Sequence, residues 1–452
     1  MSSRLNLADV TAAPKPAPEH FPAELVHEAE EGLRFVIKQP AFRLIWFAQL
    51  ASQVADKFMM FSLLILAYQV AGGSSQVAFT LLSYTVPAVL ISPLAGVFAD
   101  RHDRRVIMVL ANFIRAGLIA LIPIAAFIPL VNRDFYHLLA ITFAVSATGQ
   151  VFSPSEAAAI PSVLPKRALL AANSLVMVTL VLTLMIGGAL APILSGVDLY
   201  LPYWIAALLF VAAALCIWLA QIPKLPPKFS VEQRHPFKQV WVEIMEGVDT
   251  LRNSSVLMIG FGQLSLAVLV LLLIFTLAPA YVKTVLGISP SETYIILVPA
   301  IIGAIISAGL LRTLVDRWSQ RLLLFGTLLA MGATLIVLAG GQLITRFVPL
   351  IEGHTRIFGA LCAFVLGLEF GSLMIPALTY LMVHTTERVR GRVFALLFMV
   401  INGVAAIPIL VAAVLADILG TTWVIAGVGA LLAVPAFLGL RYVPRGAAPP
   451  SR

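Results

Sequence analysis

Gly96-Val97-Phe98-Ala99-Asp100-Arg101-His102-Asp103-Arg104-Arg105 is the stretch on which the fold turns. Half of its residues carry a fixed charge in a chain that is only 12% charged, and a long apolar run stands on either side. Arginine cannot be left in hydrocarbon, so these residues must turn at one face of a membrane, and their positive balance marks that face as cytoplasmic.

The rest of the chain agrees. At 60% hydrophobic residues and a mean hydropathy of +0.98, its composition lies outside that of soluble proteins. A helix needs about 20 apolar residues to cross a bilayer. Twelve such runs occur, near 44–70, 77–99, 106–129, 136–156, 169–194, 200–221, 256–282, 291–313, 322–346, 357–380, 393–416 and 421–441. They are continuous rather than alternating, which excludes a β-barrel, and a spanning segment that satisfies its own backbone must then be a helix.

The longest polar interval is 222–255, opening Ile222-Pro223-Lys224-Leu225-Pro226-Pro227-Lys228, an extended linker by its prolines and lysines. It divides the runs six and six. Asp100-Arg101 after the second run is echoed by Asp316-Arg317 after the eighth, and Ser153-Pro154 in the fourth by Ile375-Pro376 in the tenth. Two halves with the same order of elements mark a duplicated carrier. The expected fold is an all-α membrane protein of twelve transmembrane helices in two pseudo-symmetric six-helix bundles. The bounds are a disordered tail at 1–22, an amphipathic surface helix at 23–39, a first bundle at 40–221, a linker with a second amphipathic helix at 222–255, a second bundle at 256–441 and a tail at 442–452.

A net charge of +8 would suit nucleic acid, but its placement gives another explanation. Arg133, Lys283, Arg346 and Arg356 fall on one face, Lys57 and Arg115 lie inside runs, and every other Lys and Arg falls on the opposite face or in the termini. That asymmetry puts both termini in the cytoplasm, in a cell inner membrane, and no nucleic-acid partner is needed. Cys216 and Cys362 are single and sit in apolar runs, so neither a disulfide framework nor a metal site is indicated. There is no Gly-x-x-x-x-Gly-Lys-Ser/Thr phosphate loop, no His-Glu-x-x-His and no nucleophile elbow. No cofactor and no enzymatic activity are expected, and any drive must come from an ion gradient or a partner.

Within the runs, polar residues are few enough to name. Gln49, Ser52, Gln53 and Asp56 form a stripe along the first, and such a stripe must face a cavity or another helix. Lys57 follows Asp56 and points about 100° away, so it is not expected simply to pair with it. Arg115 lies nine residues into the third run, about 13 Å deep at 1.5 Å per residue, where it needs a carboxylate. Asp56 is the first candidate. In the tenth run Gly367-Leu368-Glu369-Phe370-Gly371 frames a carboxyl between two small residues that let another helix approach closely. Glu369 reads either as a neutral acid bonding at a helix contact or as a proton carrier. Asp56, Glu369, Arg115, Gln53 and Lys57 are the candidates for substrate or proton coupling.

The opening stretch resembles the signature cytoplasmic turn of the major facilitator superfamily, Gly-x-x-x-Asp-Arg-x-Gly-Arg-Arg, with Gly96, Asp100, Arg101, Arg104 and Arg105 matching and Asp103 in place of the second glycine. Phe42-Arg43-Leu44, Gln49 with Asp56, Arg115, Ser153-Pro154, Ala172-Asn173-Ser174 and Arg390-Gly391-Arg392-Val393 together resemble the branch of macrolide-type and siderophore exporters. The resemblance covers roughly 40–441. It implies that Asp100 and its arginines form a cytoplasmic gate, the carboxylate meeting the positive end of the eleventh helix, with Arg392 adding to it and Asp316-Arg317 forming a weaker copy.

Together these readings give a proton-driven exporter of small amphipathic molecules working by alternating access, acting as a monomer among membrane lipids. A lysophospholipid translocator is the alternative among carriers. A membrane sensor or scaffold that no longer transports is the alternative outside them.

Overall fold

The structure is a computed structural model, and it describes residues 33–128, 135–165, 168–223, 255–317, 322–341, 354–384 and 399–442, with 245, 248, 249, 251, 252, 393, 396 and 397. The expected tails, most of 23–39, most of the 222–255 linker and Arg392 lie outside these residues. Residues 33–38 are helical, and Val36 is buried with Phe42 and Ile45.

The described chain is helical, with no strand among the described residues. In the first half the helices are α1 (Pro40–Ala71), α2 (Ser74–Leu90), α3 (Ser92–Arg101), α4 (Arg104–Ala126), α5 (Tyr136–Val163), α6 (Leu169–Val197) and α7 (Leu201–Leu219). The second half holds α8 (Ser255–Thr284), α9 (Tyr294–Arg317) after a 3-10 turn at Pro290–Thr293, and α10 (Thr327–Ala339) after a π turn at Leu322–Gly326. It continues with α11 (Thr355–His384), α12 (Ala406–Leu419) after a π turn at Val400–Val404, and α13 (Thr421–Tyr442). Among the described residues nine helices are long and apolar enough to span a membrane, and α10 and α12 are shorter apolar helices.

The second run differs from expectation. It reads as one span but is kinked at Ile91, which divides α2 from α3 while keeping right-handed helical angles and its N–H bond to the Pro87 carbonyl at 2.9 Å. Pro87 and Pro93 flank the kink, and each lacks the N–H that would bond four residues back, so the ladder is weakened on both sides of it.

Packing divides the helices as the duplicated layout requires. In the first half α1 lies on α6 and α7, α4 on α5 and α7, and α2 on α5. In the second α9 lies on α11, α10 on α13 and α11, and α8 on α11 and α12. The molecular surface is apolar, with Leu208, Ile407, Trp423 and Leu431 turned outward, as expected where the outer solvent is lipid and close packing holds the helices together.

The glycines of α11 show that packing at its tightest. A Cβ on Gly367 would stand 1.9 Å from the carbonyl oxygen of Ala300, and one on Gly303 of α9 would stand 2.1 Å from that of Phe364. Backbone meets backbone here, as the small-residue pair of the tenth run predicts. Glu369, between the two glycines, is thereby turned away from α9.

The face at which α1 begins and α13 ends is called near and the opposite face far. The two halves interlock between the middle of the bundle and the far face. Leu64, Tyr68, Val77, Ala78 and Leu81 of the first half join the main core of the second. Phe61 meets Phe275 edge-on with ring centroids 5.0 Å apart. At the far face itself Gly196 lies against Tyr294.

Candidate functional site

The polar stripe on α1 splits in two. Ser52 and Asp56 meet Arg115 of α4, and Gln49 shares their side of α1, whereas Gln53 and Lys57 face α6. Arg115, only 4% exposed, reaches from α4 and bonds Asp56 through Nη2 at 2.5 Å and Ser52 Oγ through Nη1 at 3.2 Å. Its guanidinium carbon sits 4.1 Å from the centre of the Phe210 ring on α7. Gly149 of α5 keeps the other side clear, since a Cβ there would stand 3.6 Å from the same carbon. Tyr84 of α2 donates its hydroxyl to the second oxygen of Asp56, and Ser146 of α5 donates to the Tyr84 carbonyl at 2.5 Å. The carboxylate is thus held by groups from two neighbouring helices, which is what a charge inside a bundle requires.

Lys57 corrects the expectation drawn from helical spacing, because its Nζ lies 3.5 Å from Asp56 Oδ2. The cause is the neighbour. A Cβ on Gly187 of α6 would stand 2.2 Å from Lys57 Cβ, so the stem is caught in a tight seam and its four methylenes let the ammonium curl back. Gln53, one turn before it, accepts from Thr183 of α6 at 3.0 Å.

In the second half Thr334 of α10 donates to Glu369 Oε1 at 2.8 Å, and Oε2 is buried without a protein partner. The carboxyl therefore keeps an unused site where it faces α10.

At the near face Gly96, Asp100 and Arg101 form the last turns of α3, and Asp316 and Arg317 the last turn of α9. Asp103, where the family pattern has glycine, caps α4 by accepting from the Arg105 N–H at 3.0 Å. Arg104 donates to the Ala158 carbonyl of α5 at 3.0 Å, and Arg105 to the Trp218 carbonyl of α7. These two arginines bind the turn to its own half.

The far face is fastened across the halves. Asp417, in the last turn of α12, accepts the N–H of Ser74 at 2.6 Å and of Ser75 at 2.9 Å. Those are the first residues of α2, whose N–H groups have no acceptor within the helix. Gly72, at φ +80°, ends α1, and a Cβ on Gly73 would stand 3.0 Å from Asp417 Oδ2, so two glycines make the turn that admits the carboxylate. Beside it Lys283 of α8 lies 5.5 Å from the centre of the Tyr68 ring of α1.

The structure thus joins Asp56, Arg115 and Lys57, sets Gln53 beside them, and leaves Glu369 in the other half. Tyr84, Glu156 and Asp417 were missed from sequence. Of these only Glu156, an acid in an apolar run, carried a signal.

A helical bundle of two like halves, with charges paired in its middle and one face fastened across the halves, is the architecture of a membrane carrier. The Major Facilitator Superfamily model matches residues 45–407, and the chain belongs to that family of transporters. An uncharacterized MFS-type transporter of Bacillus subtilis, YkuC, is 31% identical over 136 residues, which are 29% of this chain and 30% of that protein. The match thus spans less than a third of the length of that relative. Among solved structures, the nucleoside transporter NupG superposes with a TM-score of 0.64 at 13% identity, over 88% of this chain and 99% of the other. A bacterial homolog of the human lysosomal transporter Spinster, inward-facing and unoccupied, gives 0.62 at 13% identity over 92% and 100%. A D-xylose–proton symporter gives 0.58 at 14% identity over 92% and 98%. At these identities the likeness is one of fold.

Proposed function

We propose that this transporter couples proton movement to the export of a small amphipathic molecule, drug-like or siderophore-like, by alternating access. The near face and both termini lie in the cytoplasm of a cell inner membrane, and the protein works as a monomer. The observation that carries the reading is the pair of half-buried acids inside the bundle, Asp56 held by Arg115, Lys57 and Tyr84 in one half and Glu369 half-satisfied by Thr334 in the other. A carboxyl in hydrocarbon has two low-energy conditions, paired or protonated, and passing between them binds or releases a proton. Alternating access is supported by the position of the contacts between halves, which fasten the far face through Asp417. In the opposite state Asp100, at the near end of α3, takes the corresponding part against the start of the eleventh span, with Arg392 and the Asp316-Arg317 turn beside it.

The test is the full-length protein in liposomes with an internal pH dye, challenged in turn with cationic drugs, siderophores and lysolipids. One of the first two classes is expected to collapse a pH gradient. Asp56→Asn and Glu369→Gln are expected to abolish pH-driven transport while leaving exchange of substrate across equal pH. Retained pH-driven transport in both variants would refute the coupling, and no pH response to any class would favour a sensor. A lysolipid response is the second reading. It is favoured by an open cleft between Ile193, Gly196 and Val197 of α6 and Ser291, Tyr294 and Pro299 of the second half, whose rim residue Glu292 lies 3.9 Å from Arg356.

A further inference from the structure

Below the Asp56–Arg115 pair, towards the near face, the first half holds several buried polar atoms with no protein partner. They are Gln49 Oε1 on α1, both amide atoms of Asn112 and Nε of Arg115 on α4, and Glu156 Oε1 on α5. Gln49 is 2% exposed and Asn112 0%. Helix geometry sets them in order. Asn112 lies three residues from Arg115, about 4.5 Å along α4, and Gln49 lies seven residues from Asp56, about 10 Å along α1. Glu156 lies seven residues beyond Gly149, the point at which α5 passes Arg115, again about 10 Å towards the near face. Each is on the same side of its helix as the residue it is measured from, since steps of three and seven return to one face. Pro154 adds to them by freeing the Gln150 carbonyl, which would otherwise accept its missing N–H.

Three helices thus carry unpaired amide atoms and a carboxyl oxygen, over about two turns, on the faces that meet at Arg115. Hydrocarbon packing would leave every one of those groups unsatisfied, which native interiors avoid, and water is the partner small enough to serve them all. The groups are also of mixed kind, with donors at Arg115 and Asn112 and acceptors at Asn112, Gln49 and Glu156. That suits a file of waters and does not suit an organic ligand.

We propose that Gln49, Asn112 and Glu156 line an internal hydrated path by which protons travel between the near face and Asp56, with Glu156 as the relay carboxyl. The step conserves charge. A proton enters from near-face water onto a Glu156 oxygen, then passes through water to an oxygen of Asp56. Asp56 becomes neutral as Glu156 regains its negative charge. Arg115 lies within electrostatic reach of Glu156 as well as bonded to Asp56, so its positive charge is balanced before and after. Among the described residues, the charged and titratable groups around the path are Asp56 and Lys57 from α1, Tyr84 from α2, and Arg104 and Arg115 from α4. Arg104, bonded to the Ala158 carbonyl, stands at its near-face mouth. This relay rests on the proton coupling proposed above, but its tests need no substrate.

Water access is read by cysteine labelling of the full-length protein with Cys216 and Cys362 replaced by serine. Asn112→Cys is expected to react with the small ammonium reagent MTSEA applied from the near face. Ile119→Cys, two turns further along α4 and also 0% exposed, is expected to stay protected. Equal protection of both overturns the path. The relay is read by time-resolved infrared spectroscopy after a pH jump. The protonated-carboxyl band belonging to Asp56, identified by its loss in Asp56→Asn, is expected to form at least ten-fold more slowly in Glu156→Gln and to recover speed in Glu156→Asp. An unchanged rate in Glu156→Gln overturns the relay. If wild-type liposomes show no pH-driven flux while both of these results hold, the export reading fails and the path stands.

Discussion

Replacing Asp417 with alanine removes the carboxylate that joins the end of α12 to the first two N–H groups of α2. As a cap, such a side chain is worth about 0.5–2 kcal/mol, and as a negative charge at an exposed helix N-terminus about 0.3–1 kcal/mol. Asp417 is exposed, and water takes its place once the face opens, so the lower part of the combined range applies. A loss of about 1–2 kcal/mol moves the ratio of far-face-closed to far-face-open molecules by roughly 5- to 30-fold. Asp417→Asn keeps an acceptor without the charge and should move the ratio by a smaller factor. The assay is pulsed electron spin resonance between labels at Phe127, at the end of α4, and Ile357, at the start of α11. Both are exposed and lie at the far face in opposite halves. The wild type should give mainly the shorter distance, and Asp417→Ala should raise the longer one. An unchanged distribution in Asp417→Ala would refute the reasoning, because the two hydrogen bonds would then add nothing to closure.

Two further expectations concern the interior. Arg115→Gln leaves Asp56 without its strongest partner and should cost about 3–5 kcal/mol, whereas Asp56→Asn with Arg115→Gln removes both charges and should recover more than half of that; thermal unfolding in detergent reads both, and a simple sum of single losses would contradict the pairing. Gly367→Ala drives a methyl group against the Ala300 carbonyl and should cost about 1–3 kcal/mol, while Gly262→Ala, with nothing within 4 Å of its Cβ, should be neutral or stabilising in the same melts.

Much of this was legible in the sequence, for identifiable reasons. Spans announce themselves because hydrocarbon demands long unbroken apolar runs, and a close approach to α11 announces itself through its paired glycines, though not that α9 is the helix that makes it. The Asp56–Arg115 pair was legible because an arginine about 13 Å deep must find an acid, and few acids lie inside the runs. Lys57 was misjudged because 100° per residue describes where a Cβ points and not where a long stem ends after Gly187 has closed one side. The kink at Ile91 was overlooked although Pro87 and Pro93 stood in view. Tyr84 and Asp417 had no signal, since a tyrosine in an apolar run and an aspartate near a helix end are ordinary. Their roles arise from α2 lying between α1 and α12, a fact of tertiary structure.

A rod with a weak point bends there before it bends elsewhere. The far piece of the second span, Ser74–Leu90, is fastened to the other half through Asp417, while the near piece, Ser92–Arg101, rests on α5 of its own half. Under the alternating access proposed above, the kink at Ile91 would let the far piece leave α12 while the charged turn at the near end keeps its seat, so that the strain of opening one face stays out of the other. An unkinked helix would have levered both ends at once.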